Sequence, residues 1–465
     1  MSFGFPELAA IRFGFGLSPL MPPPVEVDEI IAGIAEAAPG PNEARTNDAR
    51  LIMVRMRKLR QALSEARVTG KGAQPATDAQ MAYELELRET IWRAAGERIA
   101  RAVDARVGFG ERLVQFWADH FTIIVDSADR WPLYDSFIDQ TIRKHVGGKF
   151  EDMLFAAESH PSMLLYLNQN NSIGPNSPFQ RRRKEKKLGL NENLAREILE
   201  LHTVGVKSGY NQTDVRQLAE LLTGLSFVIH EEQSFRPERA EPGAETVLGK
   251  SYGGDKPSID DIRAVMVDLA RNPATAEYIS RKLAVHFLSD NPPESVVAAM
   301  AATWKKTQGD LPQVYRVMLS DPAVADTFRQ KARQPFDYVA SGLRAIGITG
   351  DQIRGWDQPH VESICRAPMR DMGQPWGKPL GPNGWAEEAE AWITPQALSA
   401  RINWSLKIPT FIYKELNQQL PDPRALVETV FAGTQSDALM WAIPKAESQR
   451  EGVALVLASN DFNRR

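Results

Sequence analysis

Apolar residues along this chain recur at a helical period almost everywhere. Leu51, Val54, Leu59 and Leu63 stand at such a spacing among arginines and lysines, which marks one face of an amphipathic helix. Longer patterns of the same kind cover about 78–107 and 110–124. Further ones cover 131–144, 150–158, 162–168, 193–203, 211–223, 258–271, 273–288, 293–307, 311–320, 322–330 and 335–347. Most of them open on Pro, Asn, Ser or Asp, where a missing N–H or a capping oxygen suits a helix start. Strict alternation with β-branched residues is nearly absent; only 226–230 and 246–248 read as strand, together a small hairpin. The pattern predicts a mostly α fold, a large multi-helix body with long irregular loops and at most a small β-hairpin.

Two stretches escape the helical period. Residues 169–190 are polar and hold the run Arg181-Arg182-Arg183-Lys184-Glu185-Lys186-Lys187, and 350–395 are rich in Gly and Pro and carry Trp356, Trp376, Trp385 and Trp392. Loops of this length in a compact body are usually functional or mobile. The chain divides accordingly into an N-terminal helical region (1–168), a basic surface loop (169–190), a central helical region (191–349) and a C-terminal Gly/Pro/Trp-rich segment with terminal helices (350–465). Within 373–392 the glycines and prolines forbid a continuous helix. Trp376, Trp385 and Trp392 should nevertheless pin that segment, ordered, across the helical body, as a strap that serves stability or, in the alternative, as a lid over the pocket that His120 or Glu197 would line.

The segment 191–205, NENLAREILELHTVG, carries the most chemistry. At about 100° per residue with Asn193 at 0°, Arg196, Glu200 and Glu197 fall at about 300°, 340° and 40°, one polar arc about 100° wide. Glu197 and Glu200 therefore meet on one face and can share a proton or hold a cation. His202 falls within the apolar arc, about 140° from Glu197, and joins that pair only if the helix breaks near residue 201. His120, in Phe116-Trp117-Ala118-Asp119-His120-Phe121, also lies on an apolar face, and His286 is a third histidine of this kind. Both His120 and His202 are expected to be buried and hydrogen-bonded, because an unpaired buried imidazole is costly. Read more simply, 191–205 is an amphipathic helix with a solvated Glu/Arg face and a core histidine.

Composition narrows the classes. At 465 residues the chain allows roughly three units of ordinary size. Lys+Arg 55 against Asp+Glu 59 gives a formal charge of −4, without the basic excess of a nucleic-acid binder. Cys365 is the single cysteine, so no internal disulfide or cysteine-based zinc site forms. No run approaches the ~20 apolar residues of a membrane span. The first twenty residues are broken by Gly4, Pro6, Arg12, Gly14, Gly16 and Pro19, so no export signal is read and the cytoplasm is the expected location. No HExxH, P-loop, GxSxG or dinucleotide-binding glycine pattern is present.

The chain resembles the bacterial "domain of unknown function 1800" family over nearly its full length. The resemblance rests on Arg12-Phe13-Gly14-Phe15-Gly16, the Phe116–Phe121 hexapeptide above, and His160-Pro161-Ser162-Met163-Leu164-Leu165-Tyr166-Leu167. It continues through 191–205, Gly209-Tyr210, Leu222-Thr223-Gly224, Arg281-Lys282-Leu283, Asn383-Gly384-Trp385 and Arg401-Ile402-Asn403. The resemblance implies a largely helical protein with no assigned reaction. Such proteins are often encoded beside a "domain of unknown function 1501" protein that looks like a sulfatase or phosphatase and often carries a twin-arginine signal. It thus implies that companion as a partner, and export of the folded chain alongside it as the alternative to the cytoplasm.

Three functional readings follow. The first is a metal- or carboxylate-assisted hydrolase, with Glu197 and Glu200 as acid/base groups or as ligands of a divalent cation. Arg196 would clamp an anionic substrate, and His120 and His202 would line the pocket. The second is a non-catalytic binding protein of the companion, its polar motifs being buried networks that fix helix packing. The third is a glycan-binding or glycan-processing protein. Trp376, Trp385, Trp392 and Asn383 would form the substrate or partner surface.

Overall fold

The computed structural model describes residues 4–40, 43–69, 73–183, 189–229 and 235–465. The fold is mostly α. The helical periods become Thr46–Thr69, Ala73–Asp104, Phe109–His120, Trp131–Phe137, Phe150–Ser159, Pro161–Tyr166, Gln212–Leu221, Ile259–Arg271, Pro273–Phe287, Glu294–Thr307, Leu311–Leu319 and Pro335–Ala345. Asn211, Ser258, Asn272 and Asp310 cap four of these through their side chains, as their residue types allow. The 322–330 pattern forms helix only over Ala323–Asp326.

Two cores hold the body together. One takes its side chains from Leu8 to Val324. The other runs from Phe336 to Phe462 and includes Phe15 and Ile99–Val103, so the helix Ala73–Asp104 reaches both. The last carbonyls of that helix have no partner within it. Arg344, from the second core, supplies them: its guanidinium donates to Val103 O at 2.6 Å, Ala105 O at 2.8 Å and Arg106 O at 3.1 Å.

Three expectations need correction. The hairpin pairs Gly243–Val247 with Lys250–Gly254 through Leu248 and Gly249, whose φ values of 48° and 80° match the two-residue turn that suits strand twist. Leu248 thus belongs to the turn. Residues 226–229 are not strand, and Leu225 makes only an isolated bridge to Phe235; His230 lies outside the described residues. The region 350–395 is helical in its first half, over Gly350–Arg354, Gln358–His360 and Ala367–Asp371, with a wide π turn Val361–Arg366 between the last two. Pro368 lacks the N–H that would reach Ile364 O; the indole N–H of Trp404 takes that carbonyl at 2.9 Å instead, and the helix continues. Finally, the polar stretch 169–190 is not all surface. Gln169 and Ser177 are buried, Gln169 donates to Leu222 O at 2.8 Å, and Arg181, Arg182 and Arg183 are exposed. Residues 184–188 lie outside the described part.

Candidate functional site

The helix Phe109–His120 is buried along nearly its whole length and delivers two side chains at its C-terminal end. Asp119 meets the strap: its carboxylate accepts from the Trp385 N–H at 2.9 and 3.2 Å. Gly384, at φ 80°, makes this approach feasible, since a Cβ there would stand 2.6 Å from Asp119 Oδ1. Beside them is a chamber of about 70 Å³ lined by Asp119, Arg98, Tyr134, His286, Trp376 and Trp385, room for a few waters. Burial pushes the Asp119 carboxyl up to about 7; the Trp385 N–H and Lys282 pull it back and Glu387 adds to the rise. Burial lowers the Lys282 ammonium, and the charges of Asp119 and Glu387 partly restore it.

Glu387 is set the other way. Burial would raise it, but His286 and Lys331 outweigh that and hold its carboxyl at about 2. His286 Nδ1 lies 2.6 Å from Glu387 Oε1 and Lys331 Nζ 3.3 Å from Oε2. Arg112 donates to His286 Nε2 at 3.1 Å and reaches Asp337 Oδ2 at 2.6 Å. A guanidinium only donates, so Nε2 accepts and Nδ1 carries the proton toward Glu387. Lys331 also reaches Asp290 Oδ1 at 2.5 Å, and Asp290 accepts from the Ala389 N–H at 3.0 Å. Isolated charges could not remain ionised at this depth; joined end to end, they can.

The other face of the same helix end carries His120. Its ring packs among Trp117, Phe121 and Phe150, and Nε2 donates to His202 O at 3.2 Å. Burial, then the nearby Lys282 and His202, push His120 well below its ordinary range. His202 is 2% exposed, and its Nδ1 lies 2.7 Å from Oε1 of the equally buried Glu158. The helix Asn193–Glu197 widens at once into a π turn, Ile198–His202. In such a turn residue i+5 stands over residue i, so His202 swings toward Glu197. The 140° separation, computed for an unbroken α-helix, does not hold. Burial raises Glu197 above the carboxylate range; His202 and Arg196 pull it down, while Glu200 and Glu158 push it up.

Arg196 lies 3.2 Å from Glu200 and 3.4 Å from Glu192, at the half-exposed edge of this cluster. Among the described residues no three His, Cys, Asp or Glu side chains are placed to hold one metal ion. Trp376 and Trp385 are half-buried and Asn383 is exposed. Trp392 is 3% exposed, with its indole N–H on Ala386 O at 2.8 Å, so it anchors the strap rather than offering a surface. Sequence reasoning missed Asp119, Lys282, Glu387 and Glu158 as chemical groups. Asp119 and Lys282 do lie in segments that carry the family resemblance. Nothing in the run Trp385-Ala386-Glu387-Glu388-Ala389-Glu390 marks which glutamate turns inward.

No curated protein and no solved structure matches the chain. The family model described as "Protein of unknown function (DUF1800)" matches residues 9–464. Asp119, His286 and Trp385 line the chamber from three separate parts of that span. The chain belongs to this family.

Proposed function

We propose that the protein is a carboxylate-assisted hydrolase whose proton-transferring group is Asp119. One observation carries the reading: two neighbouring carboxyls beside one chamber are held on opposite sides of the ordinary range, Asp119 at about 7 and Glu387 at about 2. Pairs set apart in this way are how a single site runs acid and base chemistry near neutral pH. Water would add its oxygen to the electrophilic centre as the bond to the departing oxygen breaks; protonated Asp119 would pass its proton to that oxygen, and its carboxylate would take up the proton the water releases. Lys282 supplies the counter-charge, and Glu387 holds the strap through His286 and Lys331. In the metal-assisted form of this reading, Glu197 and Glu200 alone would hold a divalent cation, which would polarise the bond to be cleaved, with His202 and His120 behind them.

The pinning of the strap supports a second reading, a non-catalytic partner of the companion protein. Trp385 N–H on Asp119, Glu387 on His286 and Lys331, and Ala389 N–H on Asp290 satisfy these charges with no ligand. Purified protein assayed on aryl esters, phosphoesters and glycosides, with and without chelator, separates the two. The hydrolase reading expects turnover of one class that falls about a hundredfold or more in Asp119→Asn at unchanged fold. Turnover equal in the variant, or none at all with stable co-elution of the companion, contradicts it.

A further inference from the structure

A second cavity lies away from Asp119. It encloses about 700 Å³ between the helices Thr46–Thr69, Ala73–Asp104 and Trp131–Phe137, within the size range of small-molecule sites. Arg98 lines both this cleft and the chamber. The lining combines apolar Trp92, Ile52 and Ile138 with the carboxyl residues Asp135 and Asp139.

Most of the buried charges around the cleft are already paired. Arg143 is bound to Glu111 at 2.5 Å and to Asp139 at 3.0 Å, and Arg101 to Glu111 at 3.0 Å. Asp139 also accepts from the Ala44 N–H at 2.8 Å. Arg354 is bound to Glu97 at 2.8 Å and Asp104 at 2.9 Å. Arg98 turns its guanidinium to Gln115 Oε1 at 3.0 Å and over the Trp376 ring at 4.8 Å. Among the buried carboxyls of the lining, that of Asp135 stands apart: the residue is 7% exposed, lines the cleft, and its carboxyl makes no hydrogen bond or ion pair among the described residues. Burial pushes its carboxyl up to about 7; Arg98 pulls it back and Asp139 adds to the rise. A buried carboxyl without a donor is costly, and the protein leaves this one facing space large enough for a ligand.

We propose that the cleft binds a small ligand carrying a protonated amine, seated on Asp135 with its apolar part against Trp92, Ile52 and Ile138. An ammonium supplies the donors that Asp135 lacks and brings a charge the wall can neutralise. An anionic ligand would meet Arg101, Arg143 and Arg354, whose donors are engaged by Glu111, Asp139, Glu97 and Asp104, while Arg98 is turned to Gln115 and the Trp376 ring. This site is separate from Asp119, and its failure would leave the hydrolase reading untouched.

Calorimetric titration of the purified full chain with phenylbutylamine, and with the near-isosteric phenylbutanol, tests the proposal. The amine is expected to bind at least about tenfold more tightly than the alcohol. Asp135→Asn should abolish that preference and leave the weak binding of the alcohol unchanged. The variant removes a carboxyl with no partner, so it is expected to melt no lower than the wild type. A measurement on the unmodified chain accompanies it: carbodiimide coupling at Asp135, located by mass spectrometry, should be suppressed by the amine and not by the alcohol. Equal binding of the two probes, a preference that survives in Asp135→Asn, binding of neither, or coupling that the amine does not suppress would each overturn the proposal.

Discussion

Glu387 joins the strap to the body, and the chemistry of that one carboxylate makes the connection measurable. Its carboxyl sits at about 2 in the folded chain, below the value of about 4.3 for a free glutamate. The stabilisation it gives is therefore complete above about 4.3 and is lost as the pH falls toward 2. Glu387→Gln is expected to lower the unfolding free energy by about 2–3 kcal/mol at pH 7, with the deficit closing across that acid window in denaturant titrations. Asp119 has the opposite sign. Its carboxyl is raised to about 7, so its stabilising effect is present below about 3.9 and is lost as the pH rises through 7. Asp119→Asn should consequently gain on the wild type in thermal melts above neutral pH and not at pH 4. Gly384→Ala is predicted to cost about 2 kcal/mol or more, because it adds a Cβ at positive φ that would stand 2.6 Å from Asp119 Oδ1. A melting temperature equal to the wild type's would show that Gly384 does not govern this contact.

At the scale of elements, the helices were legible because a buried stripe repeats every three to four residues whatever lies beyond it. The π turn Ile198–His202 was not. The residues just after it close it, Thr203 Oγ1 donating to Ile198 O at 2.6 Å and the Gly205 N–H reaching Leu199 O at 2.9 Å, while the distant Glu158 holds His202. A phase count at a constant angle loses His202 at the point where the helix widens. The burial of His120 and His202 was readable from their apolar arcs; the roles of Glu158 and Glu387 were not, since each is drawn inward by a partner on another chain segment, His202 for one and His286 with Lys331 for the other. The strap was legible from its glycines and tryptophans, and its tryptophans now divide by role. Trp392→Ala should drop the stability by about 3–5 kcal/mol, as removal of a buried aromatic does. Trp385→Ala, half-buried over the chamber, should cost less stability and change turnover more. Equal melting losses in the two variants would mean that the strap acts as one anchor throughout.

Across the whole molecule, the chamber lies at the seam of the two cores. Ile123 and Tyr134 line it from the first, Phe336 and Met369 from the second, in the position where ligand sites between packed units often form. The exposed Arg181–Arg183 is the place where limited trypsin digestion is expected to cut first; early cleavage elsewhere with this stretch intact would contradict that. The central claim is that Asp119 is a carboxyl tuned to neutral pH at that seam. Carbon-13 NMR titration of side-chain-labelled aspartates, wild type against Asp119→Asn, tests it most directly. The wild type should show a carboxyl resonance titrating near 7 that is missing from the variant, while the near-neutral resonance of Asp135 remains in both. If the resonance lost on substitution titrates in the ordinary aspartate range near 4, Asp119 is not the tuned group and the account fails.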